Sequence, residues 1–136
     1  MSEHYNQGYS YGEIEILLKT IQDCIRENRY IIAKNENRQE NIDFINEYNL
    51  TSTKQKTLLL NIVTEDFCHS LQNTKPGFEH EILYVFCLQA KLFNIDDIEE
   101  NVDIYIKFNL VENRDNKRVI VISFHKRNRS IDYLFK

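Results

Sequence analysis

Residues 102–127 read VDIYIKFNLVENRDNKRVIVISFHKR, two strand-like runs joined by a short polar stretch. The runs, Asp103–Leu110 and Arg118–Phe124, are rich in isoleucine, valine and aromatic residues, which favour strands. The charged and amide residues from 112 to 116 are typical of a turn between them. The stretch therefore predicts a β-hairpin, and a similar run over Glu81–Gln89 extends it to a three-stranded meander.

The residues before this meander predict helices. Apolar residues recur at helical spacing over Glu13–Glu27, and a second short helix is predicted over Glu40–Tyr48. Ser52 with Gln55 three residues later is a capping-box pattern that opens a third helix. Three further short features are predicted: a strand at Tyr30–Ala33, a polar loop over 34–39, and a helical turn over 65–71 capped by Thr64. Helices followed by a meander indicate an α+β fold, with the N-terminal helices packed on a small antiparallel sheet.

Length and composition indicate one globular domain. The chain has 136 residues, of which 42% are hydrophobic and 28% charged. We expect a flexible polar tail over residues 1–11 and a single domain over 12–136. No apolar run is long enough to cross a bilayer, and the N-terminus lacks the pattern of a signal peptide. We therefore expect no membrane association and a cytoplasmic protein.

The three cysteines, Cys24, Cys68 and Cys87, are widely spaced and form no CxxC pair. This argues against a disulfide framework and against a zinc site. The apolar surroundings of Cys68 and Cys87 predict buried thiols. No metal and no cofactor are expected.

Charge is distributed unevenly along the chain. The net charge is −4, yet residues 107–136 contain eight cations and three acids and so carry +5, which leaves −9 on the first 106 residues. Such asymmetry is typical of a protein with one anion-binding end. Scattered, solvated surface charge is the alternative interpretation.

Strand alternation places a histidine on the face away from the core. Side chains alternate between faces, so Ile104, Ile106 and Phe108 share one face. Ile120, Ile122 and Phe124 share one face of the next strand, and both sets must meet the same core. A turn centred near Arg114 then pairs Ile106 with Ile122 and Ile104 with Phe124. On the opposite face this register places Tyr105 beside Ser123, Asp103 beside His125, and Lys107 beside Val121. A slip by two residues leaves the same residues on the same face.

The converging side chains Tyr105, Lys107, Ser123 and His125 suit metal-independent RNA cleavage. Histidine donates or accepts protons near neutral pH, and lysine stabilises charge on a phosphoryl group. The 2′-OH of the RNA would attack the adjacent phosphate while His125 protonates the leaving 5′ oxygen. The basic residues Lys126, Arg127 and Arg129 would hold flanking phosphates. An ordinary polar strand end, with an exposed Tyr–Lys pair and a solvated basic run, is the alternative.

The order of these segments resembles the MqsR family of type II toxin–antitoxin toxins. The resemblance covers about residues 13–136 and is carried by EDF after an apolar helix, by YIKF in the middle strand, and by SFH at the end of the last strand. It implies a RelE-like α+β fold. It also implies a toxin that cleaves single-stranded mRNA without a metal and is held inactive by a cognate antitoxin.

The resemblance also implies roles for individual residues. It matches Tyr105 to the family's strand tyrosine, Lys107 to the lysine beside it, and His125 to the basic residue after SF. It matches His69 to a basic residue in a short helix, as the base or a second phosphate contact. With Ser123, Lys126, Arg127 and Arg129 as RNA contacts, these residues form the predicted site.

Two other functions stay open from the sequence. One is a catalytically inactive protein of the same fold that binds and inhibits or regulates a partner, such as a nuclease, through its acidic surface. The other is an RNA-binding module without catalysis. Cleavage products, or a stable complex that survives the loss of His125, would distinguish them.

Overall fold

The computed structural model describes residues 5–34, 38–112 and 116–136. Its elements, in chain order, are β1 (Tyr5–Asn6), α1 (Tyr11–Arg26), β2 (Tyr30–Ile32), α2 (Gln39–Glu47), α3 (Ser52–Leu60), a 3-10 turn (Thr64–Asp66), β3 (Phe67–Gln72), β4 (Ile82–Phe93), β5 (Glu99–Glu112) and β6 (Lys117–Lys126). The six strands form one sheet in the order β1-β3-β4-β5-β6-β2. Neighbours are antiparallel except β2 and β6, which are parallel. The predicted α+β class is confirmed at this level.

One face of the sheet carries the principal core. Helix α1 begins with a capping box, in which the backbone N–H of Glu13 donates to Ser10 Oγ at 3.1 Å and that of Ser10 donates to Glu13 Oε1 at 2.8 Å. The buried face of α1 packs with α3 and with the inward side chains of the sheet, among them Phe67, Phe86, Ile104, Ile106, Phe108 and Phe124. The opposite face, here called the outer face, has a smaller cluster around Cys68, Val85 and Cys87. All three cysteines are buried and free, as predicted for Cys68 and Cys87.

Several predicted elements differ in the structure. The segment after Asp66 is strand β3 rather than a helical turn, because it pairs with β1 on one side and β4 on the other. The cap of α3 is Thr51, whose Oγ1 accepts from Lys54 N at 3.2 Å, one residue before the predicted Ser52. The predicted Glu40–Tyr48 helix is confirmed as α2, with bounds shifted by one residue.

The predicted flexible tail also differs in its described part. Tyr5 and Asn6 pair with β3, Tyr9 packs against the core, and α1 already begins at Tyr11. Tyrosine rings supply the apolar area that holds this segment on the sheet. Residues 1–4, residues 35–37 of the predicted polar loop, and the predicted turn centre at 113–115 lie outside the described residues.

A β-bulge in β6 corrects the predicted hairpin faces. Phe108 pairs with Val121, whereas Lys107 pairs with Ser123, so Ile122 is the extra residue. Before the bulge the core residues are Val119 and Val121, not the predicted Ile120 and Ile122; after it, the core residue is Phe124, as predicted. In a regular strand Ser123 would face the core together with Val119 and Val121. The bulge turns it to the outer face.

A second bulge lies in β3. Phe67 pairs with Phe86 and faces the core, but His69 pairs with Val85 of the outer face, and Cys68 is the extra residue between them. Without the bulge, Phe67 and His69 would share a face. Each bulge therefore places a histidine on the outer face of the sheet.

Of the helices described, none is both long and apolar enough to span a bilayer.

Candidate functional site

The outer face holds a polar cleft of about 570 Å³ between β5–β6, the N-terminal segment, the start of α2 and the C-terminal segment. Six of the eight predicted site residues line it directly from the strands or the segment after β6: Tyr105, Lys107, Ser123, His125, Arg127 and Arg129. A seventh, His69, lines it from β3. Further lining comes from residues not predicted as site residues: Tyr5, Gln7, Arg38, Glu40, Asn128, Ser130, Ile131 and Asp132.

The pairing of β5 with β6 sets the centre of the cleft. Tyr105 pairs with His125 and Lys107 with Ser123, which is the predicted register shifted by two residues. The rings of Tyr105 and His125 are stacked, with centroids 5.5 Å apart and planes 22° apart. Tyr105, Lys107, Ser123 and His125 therefore lie on one face of the sheet, as strand alternation predicts. Val119 and Val121, earlier in β6, face the core and not this outer face.

The imidazole of His125 is oriented by its own strand end. Its Nδ1 lies 2.8 Å from the carbonyl oxygen of Lys126. A carbonyl can only accept, so this contact requires the proton on Nδ1 and leaves Nε2 as the nitrogen that exchanges protons with a ligand. Nε2 lies 3.9 Å from Glu40 Oε1.

Glu40 reaches the cleft from the first turn of α2. Its Oε2 accepts a hydrogen bond from Asn128 Nδ2 at 2.7 Å, while its side chain remains 64% exposed. The carboxylate is thus held at one edge but open to a ligand. Glu40 and His125 form a carboxylate–imidazole pair, and both side chains are common general acids and bases.

Burial shifts the pKa of two central groups. It raises the pKa of Tyr105 to about 12, so its hydroxyl stays protonated and can donate a hydrogen bond. It lowers the pKa of Lys107, and the charge of Arg38 lowers it further. An anion in the cleft would favour the protonated form of Lys107, since an opposite charge stabilises a buried cation.

His69 is buried on β3, with 5% of its surface exposed. Burial lowers its pKa; Asp132 opposes that shift and Lys107 adds to it, so the ring is neutral near pH 7. One face of the ring stacks on Tyr5, with centroids 4.1 Å apart and planes 11° apart. Its Nε2 is buried without a hydrogen-bond partner among the described residues.

The basic residues predicted to contact phosphates lie on both faces of the sheet. Arg127 lines the cleft and pairs with Asp103, its Nη2 being 3.1 Å from Oδ2. Arg129 also lines the cleft, and with the described residues it forms no ion pair. Lys126 points to the helix side instead, where its Nζ donates to Glu47 Oε2 at 2.8 Å and lies 5.1 Å from the centre of the Tyr48 ring.

The C-terminal segment after β6 closes the far side of the outer face. Tyr133 OH donates to the carbonyl of Cys87 at 3.1 Å, and the N–H of Leu134 donates to the carbonyl of Phe67 at 3.1 Å. Lys136 Nζ lies 3.5 Å from the buried Asp66 carboxylate. This packing covers the cluster of Cys68, Val85 and Cys87 on the outer face, next to the cleft.

Sequence reasoning missed Glu40, Arg38 and Tyr5. Glu40 stands at the start of a predicted helix and Arg38 in a predicted loop, and neither position carries a local signal for a site. Tyr5 lies in the predicted flexible tail. Their place in the cleft depends on contacts between residues far apart in the chain.

Over residues 5–34, 38–112 and 116–136, no three histidine, cysteine, aspartate or glutamate side chains come together as a metal-binding group. In comparisons with protein-family models, curated proteins and solved structures, the chain matches none of them.

Proposed function

We propose that the cleft cleaves single-stranded RNA by attack of a ribose 2′-OH on the adjacent phosphate, without a metal. The observation that carries the proposal is the pair formed by His125 and Glu40, with Nε2 and Oε1 3.9 Å apart, inside a cleft that also holds Lys107, Arg127 and Arg129. A proton donor, a proton acceptor and several cations within one cleft are the groups that this reaction requires.

In the proposed reaction, Glu40 accepts the proton of the 2′-OH as the oxygen attacks phosphorus. His125 gives its Nε2 proton to the leaving 5′ oxygen. The products are a 2′,3′-cyclic phosphate and a free 5′-OH, and the nucleophile comes from the substrate itself. Glu40 is preferred to His69 as the base because its carboxylate is open to the cleft, whereas His69 is buried beneath Tyr5.

Tyr105 and Lys107 are assigned to the scissile phosphate. Tyr105 donates through a hydroxyl that its high pKa keeps protonated, and Lys107 offsets charge that develops on the non-bridging oxygens. Arg129 and Arg38 also line the cleft, and they are assigned to the phosphates on either side of the scissile one. Lys126 is not assigned to RNA because it pairs with Glu47 on the other face.

The biological role that fits this activity is that of an mRNA-cleaving toxin, held inactive by a cognate antitoxin and acting in the cytoplasm where mRNA is found. The support is the resemblance to the MqsR family in its EDF, YIKF and SFH segments, together with a helix-backed antiparallel meander that suits a RelE-like fold. The antitoxin would have to cover or distort the cleft in order to silence it.

The test is to incubate the purified protein with single-stranded RNA in the presence of EDTA and to analyse the product ends. We expect cyclic-phosphate and 5′-OH ends from the wild type, at least a hundredfold slower cleavage by His125→Gln, and unchanged cleavage by His80→Gln, a matched histidine outside the cleft. Expression of the wild type but not of His125→Gln should arrest growth. Absence of cleavage, or equal cleavage by His125→Gln, overturns the proposal.

A second candidate function, protein binding without catalysis, is favoured by the β4–β5 hairpin. Its tip exposes Ile95 and Ile98, at 74% and 58%, beside Asp96 and Asp97. An exposed apolar patch flanked by acids suits a basic partner protein, such as a nuclease to be inhibited. This candidate predicts a stable complex that His125→Gln leaves intact and that Ile95→Asp abolishes, with no RNA cleavage.

A further inference from the structure

The N-terminal segment forms a fixed wall of the cleft. Tyr5 pairs with Leu71 and Asn6 with Ser70, so β1 extends the sheet at its β3 edge. Gln7 Nε2 donates to the carbonyl of Cys68 at 2.8 Å, which holds the segment at the β3 bulge. The strand pairing of Tyr5 and Asn6 and the side-chain bond of Gln7 therefore hold this segment on the sheet.

Tyr5 has one covered ring face and one open ring face. The covered face lies on His69 at a centroid distance of 4.1 Å, yet 48% of Tyr5 remains exposed and the residue lines the cleft. Tyr5 thus exposes an aromatic ring in a cleft that also holds several cations. Proteins bind single-stranded nucleic acid with such an arrangement. The ring stacks on a base while the cations hold the backbone.

His69 supports the Tyr5 ring from the sheet side. Its Nε2 is fully buried and has no hydrogen-bond partner among the described residues, although the residue lines the cleft. The Tyr5 ring separates this nitrogen from a base on its open face, so His69 holds Tyr5 in place and does not bind the base itself.

We infer that Tyr5, supported by His69, forms a nucleobase subsite, in which a base next to the scissile phosphate stacks on the open face of Tyr5. The inference rests on the proposed RNA cleavage and adds the part of the substrate that the catalytic pair does not touch. Tyr5 is then a positioning residue, held in place by His69: it fixes the nucleotide so that its phosphate lies against Glu40 and His125. The ligand is a flexible single strand, because only an unpaired base can leave its neighbours to stack there.

The chain has no tryptophan, so Tyr5→Trp places a unique fluorophore at the subsite. In a His125→Gln background, which prevents cleavage, titration with a short single-stranded oligoribonucleotide is expected to quench this tryptophan. An oligomer of the same length with abasic sites throughout should bind through its phosphates without quenching. Quenching of equal extent by both oligomers, or by neither while both bind, overturns the subsite.

A second set of variants measures the contribution of stacking. Tyr5→Leu is expected to weaken binding of the oligoribonucleotide about tenfold, within the range for one stacked base, and to leave binding of the abasic oligomer unchanged. Tyr5→Phe should bind like the wild type, and Tyr11→Leu, at an exposed tyrosine outside the cleft, is the matched control. Melting curves establish that each variant is folded.

The two proposals fail in different ways. Cleavage and binding by Tyr5→Leu at wild-type levels overturn the subsite and leave the catalytic assignment standing. A wild-type protein that neither binds nor cleaves RNA overturns both. Equal weakening of the normal and abasic oligomers by Tyr5→Leu shows a structural effect on the cleft rather than stacking, and this too overturns the subsite.

Discussion

The side chain of Asn41 holds the irregular end of β6 in place: its Oδ1 accepts from the backbone N–H of Phe124 at 2.8 Å. Its Nδ2 donates to the carbonyls of Ile122 and Ala33, at 3.0 Å and 2.9 Å. Asn41 is fully buried and lies on α2, 83 residues before Phe124. It satisfies backbone groups that parallel pairing with β2 no longer reaches, and so fixes the bulge that turns Ser123 and His125 toward the cleft.

Loss of this contact should destabilise the protein. Asn41→Ala leaves the N–H of Phe124 and the carbonyl of Ile122 buried without partners, and each unsatisfied group costs about 1–3 kcal/mol. We expect the free energy of unfolding, measured by urea denaturation, to fall by about 3 kcal/mol in total. Asn46→Ala, at an exposed position on the same helix, should change it by less than about 0.5 kcal/mol. Equal values for Asn41→Ala and wild type would contradict this role.

Replacement of Glu40 tests the second member of the proposed catalytic pair, the general base. If Glu40 is the base, Glu40→Gln should lower kcat for RNA cleavage by about a hundredfold or more, with little change in melting temperature. Glu47→Gln is the matched control, since Glu47 lies on the same helix but binds Lys126 on the opposite face. A Glu40→Gln enzyme with wild-type kcat would remove Glu40 from the mechanism and return the role of base to His69.

Replacement of Arg129 and replacement of Lys126 should have different effects on RNA affinity. Arg129→Ala should weaken binding of single-stranded RNA and reduce the slope of log K against log[salt] by about 0.7, the value for one phosphate contact on a single strand. Lys126→Ala should leave that slope unchanged, because its ammonium group is bound to Glu47 away from the cleft. Fluorescence anisotropy at several salt concentrations measures both, and a loss of slope in Lys126→Ala would contradict the placement.

The low pKa of His69 should make the protein less stable in mild acid. Burial disfavours the charged ring, so the folded pKa lies below the unfolded value of about 6.5, and the unfolded state binds the proton more readily. Stability is therefore fully present above pH 6.5 and declines as pH falls through and below that value. His69→Phe keeps an aromatic ring against Tyr5 but cannot titrate.

Melting temperatures at pH 7.5 and pH 5.5 measure this effect. We expect a smaller decrease in His69→Phe than in the wild type, and no loss of stability in the variant at pH 7.5, where the substitution removes an unpaired buried nitrogen. His80→Phe, at an exposed histidine, should keep the wild-type pH dependence. A wild-type decrease that His69→Phe does not reduce would show that the buried ring is not the titrating group.

Much of the scaffold could be predicted from local patterns. The 3.6-residue apolar spacing of α1 and the alternation in DIYIKF need only their own neighbours to be interpreted, because helix and strand periods determine which side chains share a face. Phe124 had to face the core, which placed Ser123 and His125 on the outer face. Antiparallel pairing then brings Tyr105 and Lys107 to the same face as these residues. A shift of the strand register by two residues does not change that face.

What the sequence by itself determined is therefore the meander, the helices before it, and the face on which Tyr105, Lys107 and His125 meet. Only the tertiary structure decided the two bulges and the strand, in place of a helix, at His69. It also decided that Lys126 binds Glu47 and that Glu40 and Tyr5 line the cleft. The physical reason is the range of the interactions. Alternation acts between adjacent residues, whereas the β6 bulge depends on an amide 83 residues away and the Tyr5–His69 stack on the pairing of two strands far apart in the chain.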